Sequence, residues 1–163
     1  KLEAEQVTPV KEPFSITELS HDLIAKFKVL AEQKQIELRL DNPKENNMVF
    51  ADVSLVERAL QNLIENAIKY TEPKGKVTLS LQKKGKNVEI NITDTGTGIP
   101  VNEQPFIFDR YKQVNESAKK QGSGLGLAIV KKIMELHDTT ITVLSKPKEG
   151  SSFIFNLPAY QVS

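Results

Sequence analysis

The sequence predicts an α/β domain in which about three helices pack on one face of a mixed sheet, giving a two-layer sandwich. Three long segments carry apolar residues at helical spacing, and shorter segments between them alternate apolar with polar residues, as half-buried strands do. The chain has 163 residues, enough for a single domain that buries about two-thirds of its unfolded surface in one core.

The composition excludes several classes of protein. The 22 basic and 21 acidic residues give a formal net charge of +1, so we expect no nucleic-acid partner and no binding to a membrane surface. The chain has no cysteine, which excludes disulfides and thiolate metal sites and agrees with a cytoplasmic location. It has no signal peptide and no apolar run of membrane-spanning length, which leaves open a membrane anchor elsewhere in the parent protein.

The first residues differ in composition from the rest of the chain. Residues 1–13 are polar and interrupted by two prolines, as expected for a connector from an upstream domain, so we place the domain itself at residues 14–163. A first helix is predicted from Ile16 to about Gln33, because apolar residues recur there at helical spacing. Thr17 is a candidate cap for this helix.

Short alternating segments supply the strands of the predicted sheet. Turn residues bound them, with one hairpin at Lys83–Lys86 and another at Lys148–Gly150. The predicted strand segments lie at Ile36–Leu40, Met48–Phe50, Val77–Leu81, Val88–Thr93, about Thr140–Leu144 and about Ser152–Leu157.

The central helix is predicted at Val53–Tyr70, with Asp52 as its cap, because its apolar residues form one wide face. A second, polar stripe occupies positions i, i+4, i+7 and i+8 of the same helix: Asn62, Asn66, Lys69 and Tyr70. Two amides, an ammonium and a phenol on one line can hold a metal ion, an anion and the edge of a ring. The alternative is an ordinary solvated helix face.

Asp94 follows the strand Val88–Thr93 and begins the sequence Asp-Thr-Gly-Thr-Gly. It has the same parity as the apolar residues of that strand, so its carboxylate is expected to point toward the core. A carboxylate in that place needs a hydrogen-bond donor, and the exocyclic amine of a purine is one candidate. Gly96 and Gly98 would let the backbone approach a ligand closely. The alternative is a strand that ends in an Asp-Gly turn.

A second glycine-rich stretch, Gly122–Leu127, opens a helix that is predicted from near Gly124 to about Leu136. Its N–H groups and the helix N-terminus are suited to an anion. The spacing matches neither the dinucleotide-binding fingerprint nor the P-loop, and a flexible hinge is the alternative. Residues 101–122 have little apolar area, so we predict a mobile loop there, with a short helix around Phe106–Tyr111.

Five stretches in this order and spacing resemble the ATP-binding catalytic domain of two-component sensor histidine kinases, within the GHKL ATPase superfamily. The resemblance covers about residues 14–158 and implies the histidine-kinase ATPase fold with a mobile ATP lid. The five stretches are NLIENAIKYT (62–71), DTGTGIP (94–100), FIFDRYKQVN (106–115), GSGLGLAIVKKIMELH (122–137) and EGSSFIFNLP (149–158).

The resemblance assigns roles to the stripe on the central helix, with ATP and Mg²⁺ as the cofactors. It implies that Asn66 holds Mg²⁺, often joined by Asn62. It implies that Lys69 contacts phosphate oxygens and that Tyr70 packs along the ribose and base. The catalytic residues implied are Asn62, Lys69 and Arg110, the last approaching the γ-phosphate; the alternative for Arg110 is a surface ion pair.

The resemblance also assigns the rest of the ATP pocket. Asp94 matches the aspartate that recognises the adenine amine, and Phe108 matches an aromatic residue at the base of the lid, for which a core anchor is the alternative. The remaining residues expected to bind ATP frame the pocket and its lid: Gly96, Gly98, Ile99, Gly122, Ser123, Gly124, Leu125, Gly126 and Leu127.

The expected function is transfer of the γ-phosphate of Mg²⁺–ATP to a histidine on a separate dimerisation domain of the same parent protein, and through it to a response regulator. Related ATPases carry a general-base glutamate at the position of Asn62, and an amide cannot take a proton from water. His21 lacks the sequence context of the phosphoacceptor, so this domain is expected to lack its own acceptor and to be monomeric. The alternatives are an ATPase that acts as a conformational switch, and a nucleotide-binding module without transfer activity.

Overall fold

The computed structural model of the protein describes residues 7–41, 44–109 and 126–161. Within them, three α-helices and a five-stranded mixed sheet form the two-layer sandwich, which confirms the predicted fold class. None of the helices in these residues is long and apolar enough to cross a membrane. Residues 110–125, which include most of the predicted lid, lie outside the described residues, so the mobility of the lid stays a prediction.

The sheet has the strand order β2–β4–β5–β7–β6. The outer pair β2 and β4 is parallel and the other pairs are antiparallel, while β1 and β3 form a separate antiparallel pair. The strands and helices are, in chain order, β1 (Glu12–Ser15), α1 (Ile16–Gln33), β2 (Glu37–Asp41), β3 (Met48–Ala51), α2 (Val53–Tyr70), β4 (Lys76–Lys84), β5 (Asn87–Asp94), α3 (Gly126–Leu136), β6 (Ile141–Lys146) and β7 (Gly150–Pro158).

The strand β1 was not predicted. It begins at Glu12, inside the stretch assigned to the connector, and pairs with β3, which is more than thirty residues away in the sequence. The division of the chain at residue 13 stays a prediction, but pairing with β3 already includes Glu12 and Pro13.

The predicted cap of α1 was wrong. Ser15 is the N-cap, and its Oγ accepts a hydrogen bond from Glu18 N–H at 3.0 Å. The hydroxyl of Thr17 is engaged elsewhere, since it donates to Glu45 O at 2.8 Å and accepts from Asn47 N–H at 2.9 Å. A capping rule considers only residues that are neighbours in the sequence, so it does not detect contacts with residues far along the chain.

The segment that ends at Asp109 differs from the short helix expected around Phe106–Tyr111. The helical turn here is a 3-10 helix at Gln104–Phe106, which begins earlier and is followed by a turn through Asp109. The predicted hairpin at Lys83–Lys86 is also tighter, because β4 and β5 pair up to Lys84 and Asn87 and leave a two-residue loop.

All three helices contribute to one core, which lies against a single face of the sheet. Along β5 every second residue is buried, and Asp94 continues this alternation with 6% of its surface exposed. The carboxylate of Asp94 therefore lies on the core face of the sheet, as its parity predicted. The helix α2 follows the predicted bounds, and Asp52 caps it by accepting a hydrogen bond from Leu55 N–H at 3.1 Å.

The C-terminus of α1 ends in a left-handed residue. Gln35 has φ = 62°, its N–H donates to Glu32 O at 2.9 Å, and Ile36 N–H donates to Ala31 O at 2.8 Å. This is the Schellman arrangement, in which glycine is favoured at the position of Gln35 because a side chain raises the energy of the left-handed backbone.

We predict that Gln35→Gly increases the free energy of unfolding by about 1 kcal/mol, because it removes the left-handed penalty while keeping both backbone hydrogen bonds. Chemical denaturation followed by circular dichroism measures this change. The matched control is Gln33→Gly, in the last turn of the same helix, which should instead decrease stability by about 1 kcal/mol. Destabilisation by Gln35→Gly comparable to that of the control would contradict the prediction.

Candidate functional site

A cavity of about 1130 Å³ opens where the C-terminal half of α2, the loop Asp94–Pro100, the first residues of α3 and the β6–β7 turn meet. Its size is that of a site for a small organic ligand. The structure brings ten of the residues singled out in the sequence together on its wall: Asn62, Asn66, Lys69, Tyr70, Asp94, Gly96, Gly98, Ile99, Gly126 and Leu127.

The polar stripe of α2 forms one side of this cavity. Asn62 and Asn66 are half-buried, and Lys69 is exposed. Asn62 Nδ2 donates to Gly126 O at 3.2 Å, which links the middle of α2 to the start of α3. This hydrogen bond uses the NH₂ group of the side-chain amide. The carbonyl oxygen of Asn62 keeps its capacity to accept a hydrogen bond or to coordinate a cation.

The C-terminus of α2 is stabilised by residues from two other elements. Lys34 Nζ donates to Ile68 O at 2.8 Å and to Lys69 O at 2.6 Å. Thr97 N–H donates to Tyr70 O at 3.3 Å. Carbonyls at a helix C-terminus have no partner within the helix, and a cation there also interacts favourably with the negative end of the helix dipole. These contacts fix the end of α2 that carries Lys69 and Tyr70.

Burial shifts the pKa of two groups at this end of the cavity. Desolvation lowers the pKa of the Lys34 ammonium, and the carboxylate of Glu72 opposes this shift. Desolvation also raises the pKa of the Tyr70 phenol. Both shifts agree with the partial burial of these two residues in the cavity wall.

Asp94 is the most deeply buried charged residue on the cavity wall. Its Oδ1 accepts a hydrogen bond from Gly96 N–H at 2.8 Å. Burial raises the pKa of the Asp94 carboxyl, while hydrogen bonds from the backbone N–H groups of Gly96 and Ser151 act in the opposite direction. The carboxylate therefore offers a strong acceptor to any donor that enters this end of the cavity.

The glycines after Asp94 are required by the backbone of the protein itself. A Cβ on Gly96 would collide with Tyr70 O, and a Cβ on Gly98, which has φ = 73°, would collide with Lys146 O. The sequence suggested that these glycines let the backbone approach a ligand. The structure gives a direct steric reason for both glycines, because the loop packs closely between the end of α2 and the β6–β7 turn.

Of the predicted residues that the structure describes, Phe108 does not line this cavity. The ring of Phe108 packs edge-on against Phe153, with ring centroids 6.2 Å apart, and it is Phe153 that lines the cavity. The contact agrees with the alternative of a core anchor for Phe108. The other predicted residues, Arg110, Gly122, Ser123, Gly124 and Leu125, lie outside the described residues.

Sequence reasoning missed other residues of the cavity. Ser151 and Phe153 alternate on the buried face of β7, and Ser151 pairs with Asp94 across the sheet. The parity argument that identified Asp94 would also have found them. Lys34, Ile107 and Lys148 carry no comparable signal, because they reach the cavity only through the tertiary fold.

Metal ligation by acidic or histidine clusters finds no support in the part of the chain that the structure describes. No three side chains of His, Asp or Glu stand there close enough together to hold a metal ion. On α2, the cavity wall carries the amide oxygens of Asn62 and Asn66 and the carboxylate of Glu65.

Residues 51–161 match the protein family described as histidine kinase-, DNA gyrase B- and HSP90-like ATPase. Relatives are found among sensor kinases. The chain is 37% identical over 150 residues to the adaptive-response sensory kinase SasA of Synechocystis sp., an alignment that covers 91% of this chain and 39% of SasA. It is 38% identical over 161 residues to the sensor-like histidine kinase SenX3 of Mycobacterium tuberculosis, covering 98% of this chain and 39% of SenX3.

The chain thus spans about two fifths of the length of these curated relatives. Among solved structures, the nucleotide-free catalytic domain of histidine kinase ThkA superimposes with a TM-score of 0.79 at 28% identity, covering 91% of this chain and 95% of ThkA. Full-length ShkA in complex with AMPPNP superimposes with a TM-score of 0.84 at 27% identity, covering 99% of this chain and 34% of ShkA.

We predict a pH dependence of stability that comes from Asp94. Since burial raises its pKa above the ordinary value of 3.8, the folded state holds this proton more tightly than the unfolded state. The free energy of unfolding of the wild type, minus that of Asp94→Asn, should therefore fall as the pH rises from 3.8 through the raised pKa, and stay level above it. Urea denaturation of both proteins across this range measures the difference. A difference that rises with pH would show that the pKa is lowered instead.

Proposed function

This chain belongs to the family of histidine kinase-, DNA gyrase B- and HSP90-like ATPases, and on that premise we propose that it is the catalytic domain of a sensor histidine kinase. It binds Mg²⁺–ATP and donates the γ-phosphate to a histidine on a separate dimerisation domain of the parent protein. From there the phosphate passes to a response regulator in two-component signalling. The domain acts in the cytoplasm as a monomer and binds neither nucleic acid nor membrane.

One observation carries this proposal: the cavity wall combines two chemically different parts. The first is the buried carboxylate of Asp94, a hydrogen-bond acceptor, together with the apolar side chains of Ile99 and Phe153. The second consists of the amides of α2 and the ammonium of Lys69, which suit phosphate oxygens and their counterion. An adenine nucleotide has the same polarity, with a flat ring that donates from its amine and an anionic tail.

The Mg²⁺ ion fits the amides of this wall. Magnesium takes oxygen ligands, keeps several waters and is usually bound through few protein groups together with phosphates. Asn66 and Asn62 supply such oxygens one helical turn apart, and the hydrogen bond from Asn62 Nδ2 to Gly126 O directs the other end of that amide, its oxygen, away from α3. When bound, the ion neutralises charge on the phosphate oxygens.

The residues of the chain contribute mainly by positioning. Phosphoryl transfer needs the donor held in line with its acceptor and the charge on the transferring group compensated. Lys69 supplies a positive charge from a helix whose end is fixed by Lys34, so that its position on the cavity wall is set by a rigid element. Arg110 would add charge at the γ-phosphate, and the glycines from Gly122 to Gly126 would close over the phosphates.

Transfer is favoured over hydrolysis because the position one turn before Asn66 is an amide, Asn62, which cannot accept a proton from water. Glu65 also lines the cavity, and its carboxylate makes hydrolysis the second candidate. Steady-state hydrolysis of ATP by this domain alone separates the two. Turnover that is abolished by Glu65→Gln would support an ATPase that acts as a switch and not a kinase domain.

We predict that Asp94→Asn weakens binding of AMPPNP about tenfold or more, because the adenine amine loses a charged acceptor worth roughly 1.5–3 kcal/mol. Isothermal titration calorimetry in the presence of Mg²⁺ measures the affinity. Asp22→Asn, a change on the exposed surface of α1, is the matched control and should bind as the wild type does. Equal affinities of both variants would remove Asp94 from the base site.

We predict that Asn66→Ala removes most of the Mg²⁺ dependence of nucleotide binding, because it deletes the proposed metal-ligating oxygen. Titrations with AMPPNP in Mg²⁺ and in EDTA give the ratio of affinities for each protein. Gln61→Ala, on the same helix but off the cavity wall, serves as control and should keep the wild-type ratio. An unchanged ratio in Asn66→Ala would move the metal site away from α2.

A further inference from the structure

We propose that Ser145 is a positioning residue for the base-binding end of the cavity, an inference that rests on the proposed function. Ser145 lies near the end of the edge strand β6, outside all five sequence motifs. Its Oγ accepts a hydrogen bond from Ile99 N–H at 2.7 Å and lies 3.1 Å from Gly150 O and 2.9 Å from Ser151 Oγ. One hydroxyl thus joins the loop after β5 to the start of β7.

The loop Asp94–Pro100 depends on this contact in its second half. Its first half is held by backbone groups, since Thr97 N–H donates to Tyr70 O and Thr97 O accepts from Lys148 N–H. At Ile99 the partners are side chains. Its N–H is bonded to Ser145 Oγ, and its carbonyl oxygen accepts from Gln104 Nε2 at 2.9 Å.

Gln104 strengthens the same connection. Its Nε2 also donates to Ser145 O at 3.1 Å, so three side-chain hydrogen bonds join the 3-10 helix, the loop and β6. Ile99 lines the same cavity as Asp94, and its place there follows from where Ser145 and Gln104 hold its backbone. A shift of Ile99 would change the surface on which a base lies.

The hydroxyl of Ser145 also supports the other side of Asp94. Gly150 O only accepts, so the Ser145 hydrogen points to it, and the Ser151 hydroxyl then donates to Ser145 Oγ. In this arrangement all three groups are satisfied. Ser151 N–H is in turn a donor to the Asp94 carboxylate. Ser145 therefore contacts both segments between which Asp94 is held.

This role predicts an effect on the base and not on the phosphates. The proposed phosphate-binding groups lie on α2, whereas Ser145 lies on β6 and bonds to the loop after β5 and to the start of β7. A general loss of stability would weaken binding of every nucleotide alike, whereas displacement of Ile99 and Ser151 would weaken adenine nucleotides more than guanine nucleotides that carry the same phosphates. The ratio of the two affinities separates positioning from folding.

The experiment measures the affinities of AMPPNP and GMPPNP for the wild type, Ser145→Ala, Ser145→Thr and Ser152→Ala by calorimetry with Mg²⁺. We expect Ser145→Ala to lose roughly three- to tenfold in AMPPNP affinity, the range for one hydrogen bond, with a smaller loss for GMPPNP. Ser145→Thr keeps the hydroxyl and should restore the wild-type ratio. Ser152→Ala removes the contact to Thr93 Oγ1 at 3.0 Å on the opposite face of the sheet, and should leave the ratio unchanged.

Amide exchange of Ile99 provides a second readout that needs no ligand. Exchange should be faster in Ser145→Ala than in Ser152→Ala, because only the first change removes the acceptor of this N–H. An affinity ratio and an Ile99 exchange rate that are the same in both alanine variants would overturn the positioning role alone. Absence of AMPPNP binding to the wild type would instead overturn the proposed function, and this inference with it.

Discussion

The structure around the cavity depends on one costly feature, a carboxylate buried at the end of a central strand. Asp94 is 6% exposed, and a buried charge without donors would be strongly unfavourable. Backbone N–H groups of Gly96 and Ser151 supply the donors, so the loop after β5 and the start of β7 must both close around the carboxylate. The approach is so close that a Cβ on Gly150 would collide with Asp94 O. Gly150 therefore lets the start of β7 approach the end of β5 this closely, whereas Gly96 and Gly98 are required by their contacts with Tyr70 O and Lys146 O.

The helix α2 provides the rigid support for the other half of the cavity. Its apolar face is almost completely buried, which fixes its rotation and directs the polar stripe to the opposite side. Its N-terminus is capped by Asp52 and its C-terminus by Lys34, which comes from the end of α1. Groups that must hold phosphates and a metal ion are more accurately placed on such an element than on a loop.

Asp52 also connects α2 to two segments outside the cavity. Its Oδ2 accepts from Val10 N–H at 2.8 Å, and its own N–H donates to His137 Nε2 at 3.0 Å. His137 Nδ1 lies 2.8 Å from Ile133 O and must carry the hydrogen, since a carbonyl oxygen only accepts. The residue after the histidine, Asp138, has φ = 56° and takes the left-handed conformation for which glycine is usual. α3 is thus tied to α2 at both ends, by His137 to Asp52 and by Gly126 to Asn62.

The sequence by itself determined most of the elements and the direction of their side chains. Helical spacing defined α1 and α2, and strand parity placed Asp94 in the core, because both depend only on the geometry of neighbouring residues. The polar stripe from Asn62 to Tyr70 followed from the same rule. The tertiary structure decided everything that joins distant segments. Ser145 is 46 residues from Ile99, and Lys34 is 34 residues from Ile68, so no local pattern marks either contact. For the same reason β1 could not be found without β3, since a short strand gains its hydrogen bonds only from a partner that the chain brings to it.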